Sequence, residues 1–519
     1  MRNRNFQIEL NEQFKKALDI MENTNKNVFI TGKAGTGKST LLGYFRNITR
    51  KNIVVLAPTG VAAINVQGET IHSFFGFKPD ITLQKIKKIG DKKARIFKKI
   101  DAIIIDEISM VRADLLDCID KFLRLNGKSS RLPFGGIQMI FIGDLYQLPP
   151  VVTGKEKEIF KIQYKSPYFF DANVFKNLSI EFIELEKIYR QKDETFIKLL
   201  NSIRNNSITE EDLSILNSRV GAKFQNEKSG YTVYLTTLNK IATEINIKEL
   251  HKLKEQIHTY QAEIRGNFDK ASYPTDYNLS LAIGAQVMLL NNDPHGRWVN
   301  GSIGKIVNIK HRKNNDIIIV KLSDNRIEEV LPFRWEIFHF YFNETTHTIE
   351  TETVGSFTQY PIRLAWAITI HKSQGKTFDR VIIDLSRGAF AQGQVYVALS
   401  RCTSLGGIVL TRPVKKSYLF MDWRIVHFLT EHQYKLSERD MPLSEKINII
   451  KDAINKNLKL EILYLKTNDE KSRRIIKPYM VGEKIYMDKP FLGVEAYCFK
   501  RNEDRVFRLD RILEMKIVN

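Results

Sequence analysis

The segment GKAGTGKS, residues 32–39, has the composition and spacing of a phosphate-binding loop. It follows the apolar run VFIT and precedes a helix-like stretch, so its glycines would let backbone amides surround phosphate oxygens. Lys38 would reach the β- and γ-phosphates of a nucleoside triphosphate, and Ser39 would bind Mg²⁺. A structural glycine-rich turn is the alternative, and the strand–loop–helix context disfavours it. The other loop residues predicted to contact the nucleotide are Gly32, Ala34, Gly35, Thr36, Gly37 and Thr40.

Two carboxylates end another apolar run, in IIIDEIS at residues 103–109. Asp106 is placed to hold Mg²⁺, directly or through water, and Glu107 is placed to polarise the attacking water. Two acids at a strand end can also simply open a turn, but the phosphate-binding loop upstream favours hydrolysis. A further run leads into GDLYQLPPV (143–151), where Asp144 and Gln147 would sense the γ-phosphate. The alternative there is a Gly-Asp turn stiffened by two prolines.

Phosphoryl transfer also needs positive charge near the transferred group, often from an arginine supplied by another domain. Two arginines further along the chain are candidates: Arg190 in LEKIYRQ and Arg401 in YVALSRC. An arginine in a basic chain commonly lies in solvent or pairs with an acid. That alternative stays open for both residues at this point.

Two segments have the composition of nucleic-acid-binding loops, which combine hydroxyls, backbone amides and stacking aromatic rings. They are APTGVAAINVQGETIHSFFGF (57–77) and AITIHKSQGKT (367–377). For a single His or Phe, packing in a core is the alternative, whereas a cluster beside glycine favours a binding loop. The predicted contacts are Pro58, Thr59, Gly60, His72, Ser73, Phe74, Phe77, Thr369, His371, Lys372, Ser373 and Gln374.

The composition agrees with a polyanionic partner. The 519 residues include 80 Lys and Arg against 59 Asp and Glu, which gives a net charge of +21. Such a surplus favours nucleic acid because phosphate contacts release counterions and steer association, although solubility alone is an alternative. The three cysteines are far apart, which disfavours a disulfide framework or a zinc site. Neither a secretory signal nor a membrane-spanning stretch is predicted, so we expect a cytoplasmic protein without a membrane partner.

The elements that must position these residues follow from the hydrophobic pattern. Over residues 1–185, short apolar runs alternate with amphipathic segments. This order predicts a doubly wound α/β domain, whose ligands bind at the carboxyl ends of the strands. The predicted strands are 28–31, 53–59, 102–106 and 138–144, and the predicted helices between them are 10–23, 39–48 and 111–125.

Beyond residue 185 the pattern is first helical and then, over 281–358, consists of short alternating strands. These strands predict a small β-barrel inserted in a second α/β unit, which resumes at RLAWAITIHKSQG. A helical stretch follows Pro413, and another compact unit extends from Pro442 to Asn519.

In their order, the motifs of residues 7–412 resemble those of the petite-integration-frequency helicases, a RecD-like branch of superfamily 1 that moves 5′ to 3′. Besides the segments above, the resemblance rests on LNEQ (10–13), VRADLLDCIDKFLR (111–124), GAQVMLLNNDPHGRWVNGSIGKI (284–306) and GQVYVALSRC (393–402). It implies that Gln13 reads the adenine of ATP. It also implies that Arg190 and Arg401 contact the γ-phosphate.

The resemblance further implies a fold and a mechanism. ATP would close the cleft between two RecA-like domains, hydrolysis would reopen it, and a loop containing Gln374 and Gly375 would couple these steps to DNA. Alternating grip would advance one domain at a time, and a wedge would split the duplex. The implied divisions are a first RecA-like domain (1–185, wedge at about 75–100), a second one (186–294 and 359–412), an inserted SH3-like β-barrel (295–358) and a helical linker (413–441).

Residues 447–519 resemble a WYL domain, a small β-rich fold found in bacterial regulators and sometimes fused to such helicases, and we place its domain at 442–519. The match lies in INIIKDAINKNLKLEILYL, SRRIIKPYMV and AYCFKRNEDRVFRLDRI, and FLG (491–493) stands near the place of the naming tripeptide. A basic set in this region is a candidate site for a nucleic-acid or nucleotide ligand, with salt bridges to Asp504 and Asp510 as the alternative. Its members are Arg473, Arg474, Arg505, Arg508 and Arg511.

Three functions stay open at this point. The first is an ATP- and Mg²⁺-dependent 5′-to-3′ DNA helicase acting on single strands and single-strand/duplex junctions, with G-quadruplexes and R-loops as candidate substrates in genome maintenance. The second is a ligand-sensing regulator with a vestigial motor, which the full set of motor residues disfavours. The third is an ATPase that remodels protein–DNA complexes without unwinding, which the motifs do not distinguish from the first. DNA rather than RNA, a monomeric state and association with a bacterial nucleoid rest on the resemblance alone.

Overall fold

The computed structural model describes residues 10–518 apart from 79, 151, 153–159, 161–162, 192, 225–229, 314, 386–391 and 487–488. Val151, which ends the predicted GDLYQLPPV motif, therefore lies outside the described residues. The chain divides into a larger unit, Met1–Asn201 with Thr209–Phe420, and a smaller unit, Ser202–Ile208 with Met421–Asn519. Among the described residues, no helix is long and apolar enough to cross a membrane.

The first α/β domain of the larger unit is built on a six-stranded sheet in which every strand pair is parallel. Its central strands are buried on both faces, which explains their continuous runs of Ile, Val and Phe. The doubly wound fold predicted for this region is confirmed. In spatial order, the strands are Glu69–Thr70, Ile53–Ala57, Ala102–Ile105, Gln138–Ile142, Asn27–Gly32 and Ile180–Leu185.

Helices connect these β-strands. The Asn11 side chain caps the first helix by accepting a hydrogen bond from the Phe14 amide, and Phe14 and Met21 then pack in the core of the domain. The helix limits lie within a few residues of the predicted ones. The small differences arise because capping, and not hydrophobic periodicity, decides where a helix ends. The helices are Glu12–Asn23, Lys38–Ile48, Gly60–Asn65, Ile71–Phe75, Asp91–Lys99 and Ala113–Asn126.

The segment predicted as a wedge is held by an aromatic cluster, which we call the phenylalanine cluster. Its rings lie 4.9 to 6.0 Å apart, centroid to centroid. Phe74 and Phe77 are only 4% and 8% exposed within it, so the prediction that they stack on nucleic-acid bases is wrong for this structure. Apolar rings of this size are stabilised more by mutual burial than by exposure on a loop. The members are Phe74, Phe75, Phe77, Phe97 and Phe122.

The second α/β domain contains a four-stranded parallel sheet. In spatial order, its strands are Ala367–Thr369, Thr232–Thr236, Arg380–Asp384 and Ile408–Leu410. The helices along this part of the chain are Glu194–Arg204, Glu210–Asn217, Asn239–Lys252 and Gln394–Leu399. The prediction of two α/β domains is thus confirmed, and both lie in the larger unit.

A five-stranded antiparallel sheet is inserted in the second α/β domain. Val287 lies opposite both Gly304 and Leu364, so strands before and after the predicted 295–358 belong to this sheet. The insertion therefore extends beyond 295–358 at both ends. The strand pattern predicted over 281–358 included Gln286–Leu289 but not Ile362–Leu364, whose partner is distant in the chain. In spatial order, the strands are Ile327–Val330, Ile317–Leu322, Ile303–Lys310, Gln286–Leu289 and Ile362–Leu364. Beside it lie a two-stranded sheet, Asn278–Leu281 with His258–Gln261, and the strand Glu263–Gly266.

A long hairpin, Phe333–Asn343 with Thr348–Gln359, extends the insertion onto the first α/β domain. Its docking point is Glu69, whose side chain is fully buried. Glu69 accepts hydrogen bonds from Ser73 Oγ at 2.6 Å and from the Phe340 amide at 3.3 Å, and His339 Nδ1 lies 3.3 Å away. A carboxylate removed from water needs such donors, and Ser73 provides one of them while its contact with nucleic acid stays a prediction.

The smaller unit is a five-stranded antiparallel sheet with two helices, Trp423–Asp440 and Leu443–Asn455. Residues 202–208 belong to it, since Arg204 forms a buried ion pair with Asp469 at 4.0 Å. The unit therefore includes the predicted linker helix and a segment that no local pattern connects with it. In spatial order, its strands are Glu503–Arg508, Lys489–Cys498, Lys471–Tyr486, Lys459–Leu465 and Ile512–Val518.

Candidate active site and strand-binding surface

The phosphate-binding loop connects the strand Asn27–Gly32 with the helix Lys38–Ile48. Gly35 has φ +83°, and a Cβ there would lie 2.5 Å from Arg190 Cβ, so only glycine fits between the loop and this arginine. Lys38 Nζ donates to the carbonyls of Gly32 and Lys33 at 2.7 and 3.1 Å. The ammonium is thereby held over the loop, where it can contact phosphate oxygens.

A cavity of about 730 Å³ lies over this loop, and residues of both α/β domains line it. Its size suits a nucleotide-sized ligand. The predicted residues that line it are Ala34, Gly35, Thr36, Gly37, Lys38, Ser39, Thr40, Glu107, Gln147, Arg190, Gly375 and Arg401. Three further residues that line it were not predicted: Phe14, Tyr189 and Thr377.

Asp106 and Glu107 follow the strand Ala102–Ile105 and share a desolvated position beside the cavity. Burial raises the pKa of the Asp106 carboxyl. Burial and then the neighbouring Asp106 raise the pKa of Glu107 to about 7, although Lys38 opposes the shift. Glu107 also has φ 51°, in the left-handed region that is uncommon for residues other than glycine. Such a backbone conformation is typical of functional sites, where the surrounding structure enforces it.

The donor set of this site fits a divalent cation. Ser39 lines the cavity with a hydroxyl, and Asp106 contributes a buried carboxylate near Lys38. Mg²⁺ prefers oxygen ligands and keeps several waters and phosphate oxygens, so two protein oxygens are enough. Within the described ranges, no cluster of three or more His, Cys, Asp or Glu side chains could hold a metal by itself.

The two candidate arginines are held by uncharged acceptors. Arg401 is 1% exposed and donates to the carbonyls of Val397 at 2.9 Å and of Ser373 and Lys376 at 3.4 Å. Arg190 donates to the carbonyls of Ser400 and Gly375, both at 3.3 Å. Burial, and then repulsion from Arg190, lower the pKa of Arg401 to about 9. Two desolvated guanidinium groups at one cavity would be stabilised by an anion such as the γ-phosphate.

Both arginines therefore contact one segment, Ser373–Lys376, which we call the coupling loop. Gln374 Nε2 in this loop also lies 3.3 Å from Gln147 Oε1. The Ala34 amide of the phosphate-binding loop donates to Tyr396 Oη at 3.2 Å, a contact that sequence reasoning missed. Hydrogen bonds thus connect residues that line the cavity with the coupling loop, and the phosphate-binding loop with Tyr396.

Two aromatic rings flank the end of the phosphate-binding loop. A Cβ on Gly37 would lie 3.1 Å from the Phe14 ring and 4.0 Å from the Tyr189 ring. Gln13 is held by Glu186, whose amide donates to Gln13 Oε1 at 3.0 Å, and its contact with the adenine stays a prediction. The available signal for the two rings was their position directly beside Gln13 and Arg190 in the sequence.

The residues predicted to bind a nucleic-acid strand form two groups, one accessible to solvent and one buried. Thr369 and Ser373 are 4% and 0% exposed, and Ser373 Oγ donates to the Ile370 carbonyl at 2.7 Å. Like Phe74 and Phe77, these two side chains hold the protein together, so their predicted strand contacts are corrected. The remaining predicted residues are exposed or half-buried: Pro58, Thr59, Gly60, His72, Ser73, His371, Lys372 and Gln374.

Three of the five arginines predicted as a ligand site in the smaller unit form salt bridges. Arg473 pairs with Glu461 and Glu514, Arg505 pairs with Glu503, and Arg508 pairs with Asp510. For these three, the structure shows the salt bridges that were the alternative. Arg474 is one residue from Arg473 in a strand and so points to the opposite face. It is 8% exposed and lies against the Cys498 thiol and the Phe507 ring.

Comparisons with known proteins agree with this geometry. Residues 7–214 match the family model of the PIF1-like helicase, and residues 445–517 match that of the WYL domain. The ATP-dependent DNA helicase Pif1 of Bdellovibrio bacteriovorus is 33% identical over 439 residues, which cover 82% of this chain and 93% of that protein.

Solved structures give the same result. Bacteroides sp Pif1 in complex with ADP-AlF4 has a TM-score of 0.74 at 37% identity, covering 82% of this chain and 98% of that one. Bacteroides Pif1 bound to ssDNA has a TM-score of 0.59 at 38% identity, covering 84% and 97%. The chain therefore belongs to the PIF1-like helicase family, and its residues 445–517 form a WYL domain.

Proposed function

We propose that this chain is an ATP-dependent DNA helicase that moves 5′ to 3′ along single-stranded DNA and separates duplex strands. The observation that carries the proposal is the contact of Arg190 and Arg401 with the carbonyls of the coupling loop. A γ-phosphate in the cavity would compete for these donors. Binding and hydrolysis of ATP would therefore change the hydrogen bonds of a loop that lies beside His371 and Lys372, the exposed candidates for strand contact.

The residues of the cavity account for hydrolysis. Lys38 contacts the β- and γ-phosphates, and Arg190 and Arg401 stabilise the charge of the transferred group. Glu107, whose pKa is about 7, orients the attacking water and accepts its proton near neutral pH. Ser39 and Asp106 would hold Mg²⁺, which when bound neutralises charge on the phosphate oxygens.

Single-stranded DNA and single-strand/duplex junctions are the proposed partners. Support comes from the relatives, since solved structures include Bacteroides Pif1 bound to ssDNA and two Pif1 helicases at forked dsDNA. G-quadruplexes and R-loops are further candidate substrates in genome maintenance. A monomeric state and association with the bacterial nucleoid are part of the same proposal.

Unwinding of matched partial duplexes tests this function. The two substrates share one duplex and carry the same single-stranded tail on either the 5′ or the 3′ side. We expect ATP-dependent separation of the 5′-tailed substrate only, and none with Lys38→Ala. Separation of the 3′-tailed substrate alone would refute the polarity. Strand-stimulated ATP hydrolysis without separation of either would favour remodelling of protein–DNA complexes, and an RNA tail of the same sequence tests the preference for DNA.

For the smaller unit, the proposed ligand is a nucleic acid or nucleotide. Arg474 supports this best, because its guanidinium is buried and, among the described residues, its Nε has no hydrogen-bond partner. Arg474→Gln should weaken binding of a short labelled single strand to the full chain. Arg505→Gln, which removes an arginine already paired with Glu503, is the matched control. Equal binding by both variants would remove Arg474 from the proposed site.

A further inference from the structure

We infer that Lys376 is a positioning residue that links the coupling loop, through Asn300, to Asn65 of the first α/β domain. The inference rests on the proposed function, since it concerns how the nucleotide state reaches the strand-binding residues. Lys376 lies in the coupling loop, but no role has been assigned to its side chain above. Its main chain and its side chain contact two different parts of the larger unit.

The main chain of Lys376 is part of the nucleotide site. Its carbonyl accepts a hydrogen bond from Arg401 at 3.4 Å, and its amide donates to the Ser373 carbonyl at 3.0 Å. The preceding carbonyl, that of Gly375, accepts from Arg190. When a γ-phosphate draws the two arginines away, the backbone at Lys376 loses its contact with Arg401 and is free to shift.

The side chain of Lys376 points to the inserted β-structure. Its Nζ donates to Asn300 Oδ1 at 2.6 Å, and Asn300 Nδ2 donates to Asn65 Oδ1 at 3.1 Å. Gly301 makes room for this arrangement, because a Cβ there would lie 3.2 Å from Lys376 Cβ and Cγ. The Asn300 amide is itself fixed by Asn292 Oδ1 at 2.8 Å, so Asn300 presents its side chain in one orientation.

The connection ends at a helix whose first residues are predicted to contact the nucleic-acid strand. Asn65 is the last residue of the helix Gly60–Asn65. The N-cap of that helix is Thr59, whose Oγ1 accepts a hydrogen bond from the Ala62 amide at 3.3 Å. A helix this short moves as one body, so displacement of Asn65 also displaces Thr59 and Gly60. The proposed path from Arg401 to the bound nucleic-acid strand therefore runs through Lys376, Asn300 and Asn65.

The connection has the strength expected of a reversible link. Burial, and then the charge of Arg363, lower the pKa of Lys376 to about 8, so its ammonium loses a proton more readily than that of a surface lysine. Asn300 offers it one neutral oxygen, so the link is a single hydrogen bond. A link of that size can break and re-form in each cycle of hydrolysis.

Lys376→Met tests the inference, because methionine keeps an unbranched apolar stem and removes the ammonium. ATP hydrolysis and ATP affinity are measured with and without DNA in each variant, so that a direct effect on the nucleotide site is separated from an effect on DNA stimulation. At saturating single-stranded DNA, kcat and the nucleotides travelled per ATP should fall about fivefold, as expected for the loss of one hydrogen bond. Asn300→Leu should reproduce this loss, the double variant should be no worse than either single one, and Lys376→Arg should restore part of it. Lys240→Met, at an exposed lysine of the same unit, is the control.

Two results would overturn the inference. One is full DNA stimulation and a normal distance per ATP in Lys376→Met. The other is a defect that disappears at saturating DNA, which would make Lys376 a strand contact and not a positioning residue. Failure of the proposed function is distinguishable, because the unaltered chain would then show no directional movement at all.

Discussion

Replacement of Arg401 by alanine is the sharpest test of the proposed active site. The guanidinium is almost fully buried and lies close enough to Glu107, Asp144 and Arg190 for mutual electrostatic effects. We therefore expect Arg401→Ala to bind ATP and to hydrolyse it poorly, since an arginine of this kind acts mainly on the charge that develops in the transition state.

The magnitude follows from the neighbourhood of Arg401. Arginines that stabilise phosphoryl transfer contribute about 10³–10⁵ in kcat, or about 4–7 kcal/mol of activation free energy. Because Arg190 lies in the same cavity and keeps part of the positive charge there, we expect a loss near the lower limit, about 10³-fold. Arg401→Lys keeps a charge but loses the planar set of donors, so its loss should be smaller, about 10²-fold.

The assay is steady-state ATP hydrolysis at saturating single-stranded DNA, with nucleotide affinity measured separately by a fluorescent ATP analogue. Arg401 also donates to Val397 and to the coupling loop, so alanine removes structural hydrogen bonds as well. Thermal unfolding of the nucleotide-free variants measures that second effect, and Arg401→Lys preserves part of the bonding. A folded Arg401→Ala variant with kcat within tenfold of the unaltered chain would refute the role assigned to this residue.

Three further outcomes are expected. Lys38→Ala should abolish DNA-stimulated ATP hydrolysis while sparing strand binding, because its ammonium lies over the phosphate-binding loop, and normal turnover would contradict that position. Phe74→Ala should destabilise the larger unit by about 3–5 kcal/mol by emptying the phenylalanine cluster. A stable variant with weakened strand binding would instead restore the stacking role predicted from sequence. The hydrogen bond to Glu69 raises the pKa of His339 above 6.5, so its stabilisation is complete below that pH and is lost as pH rises through the raised value. The difference in melting temperature between the unaltered chain and His339→Gln should therefore shrink as pH rises, and a constant difference would exclude this linkage.

The elements of the first α/β domain could be predicted because their signals are local. A strand buried on both faces requires an unbroken apolar run, and Ala102–Ile105 shows one. The limits 295–358 of the inserted β-structure were wrong at both ends, since Ile362–Leu364 is too short to be recognised and Gln286–Leu289, although part of the strand pattern over 281–358, was assigned to the second α/β domain. They are recognised as members of one sheet only by pairing with each other across a long stretch of chain.

The same distinction applies to the candidate site. Side-chain type did not separate Phe74, which is buried in a cluster, from an exposed stacking ring. Nor did it reveal that Ser73 is bonded to Glu69, a residue that the hairpin covers. Residues 202–208 carried no signal of their membership in the smaller unit, since that depends on the ion pair of Arg204 with Asp469.

The chemistry of the motor was determined by the sequence alone, because a phosphate-binding loop and an acidic strand end depend on neighbouring residues and on backbone freedom at glycine. Family membership followed from the order of such motifs. Only the tertiary structure decided that Arg190 and Arg401 meet at one loop, and that Lys376 reaches Asn65 through Asn300. These relations join residues that are 25 to 235 positions apart, and packing, not local pattern, brings them together.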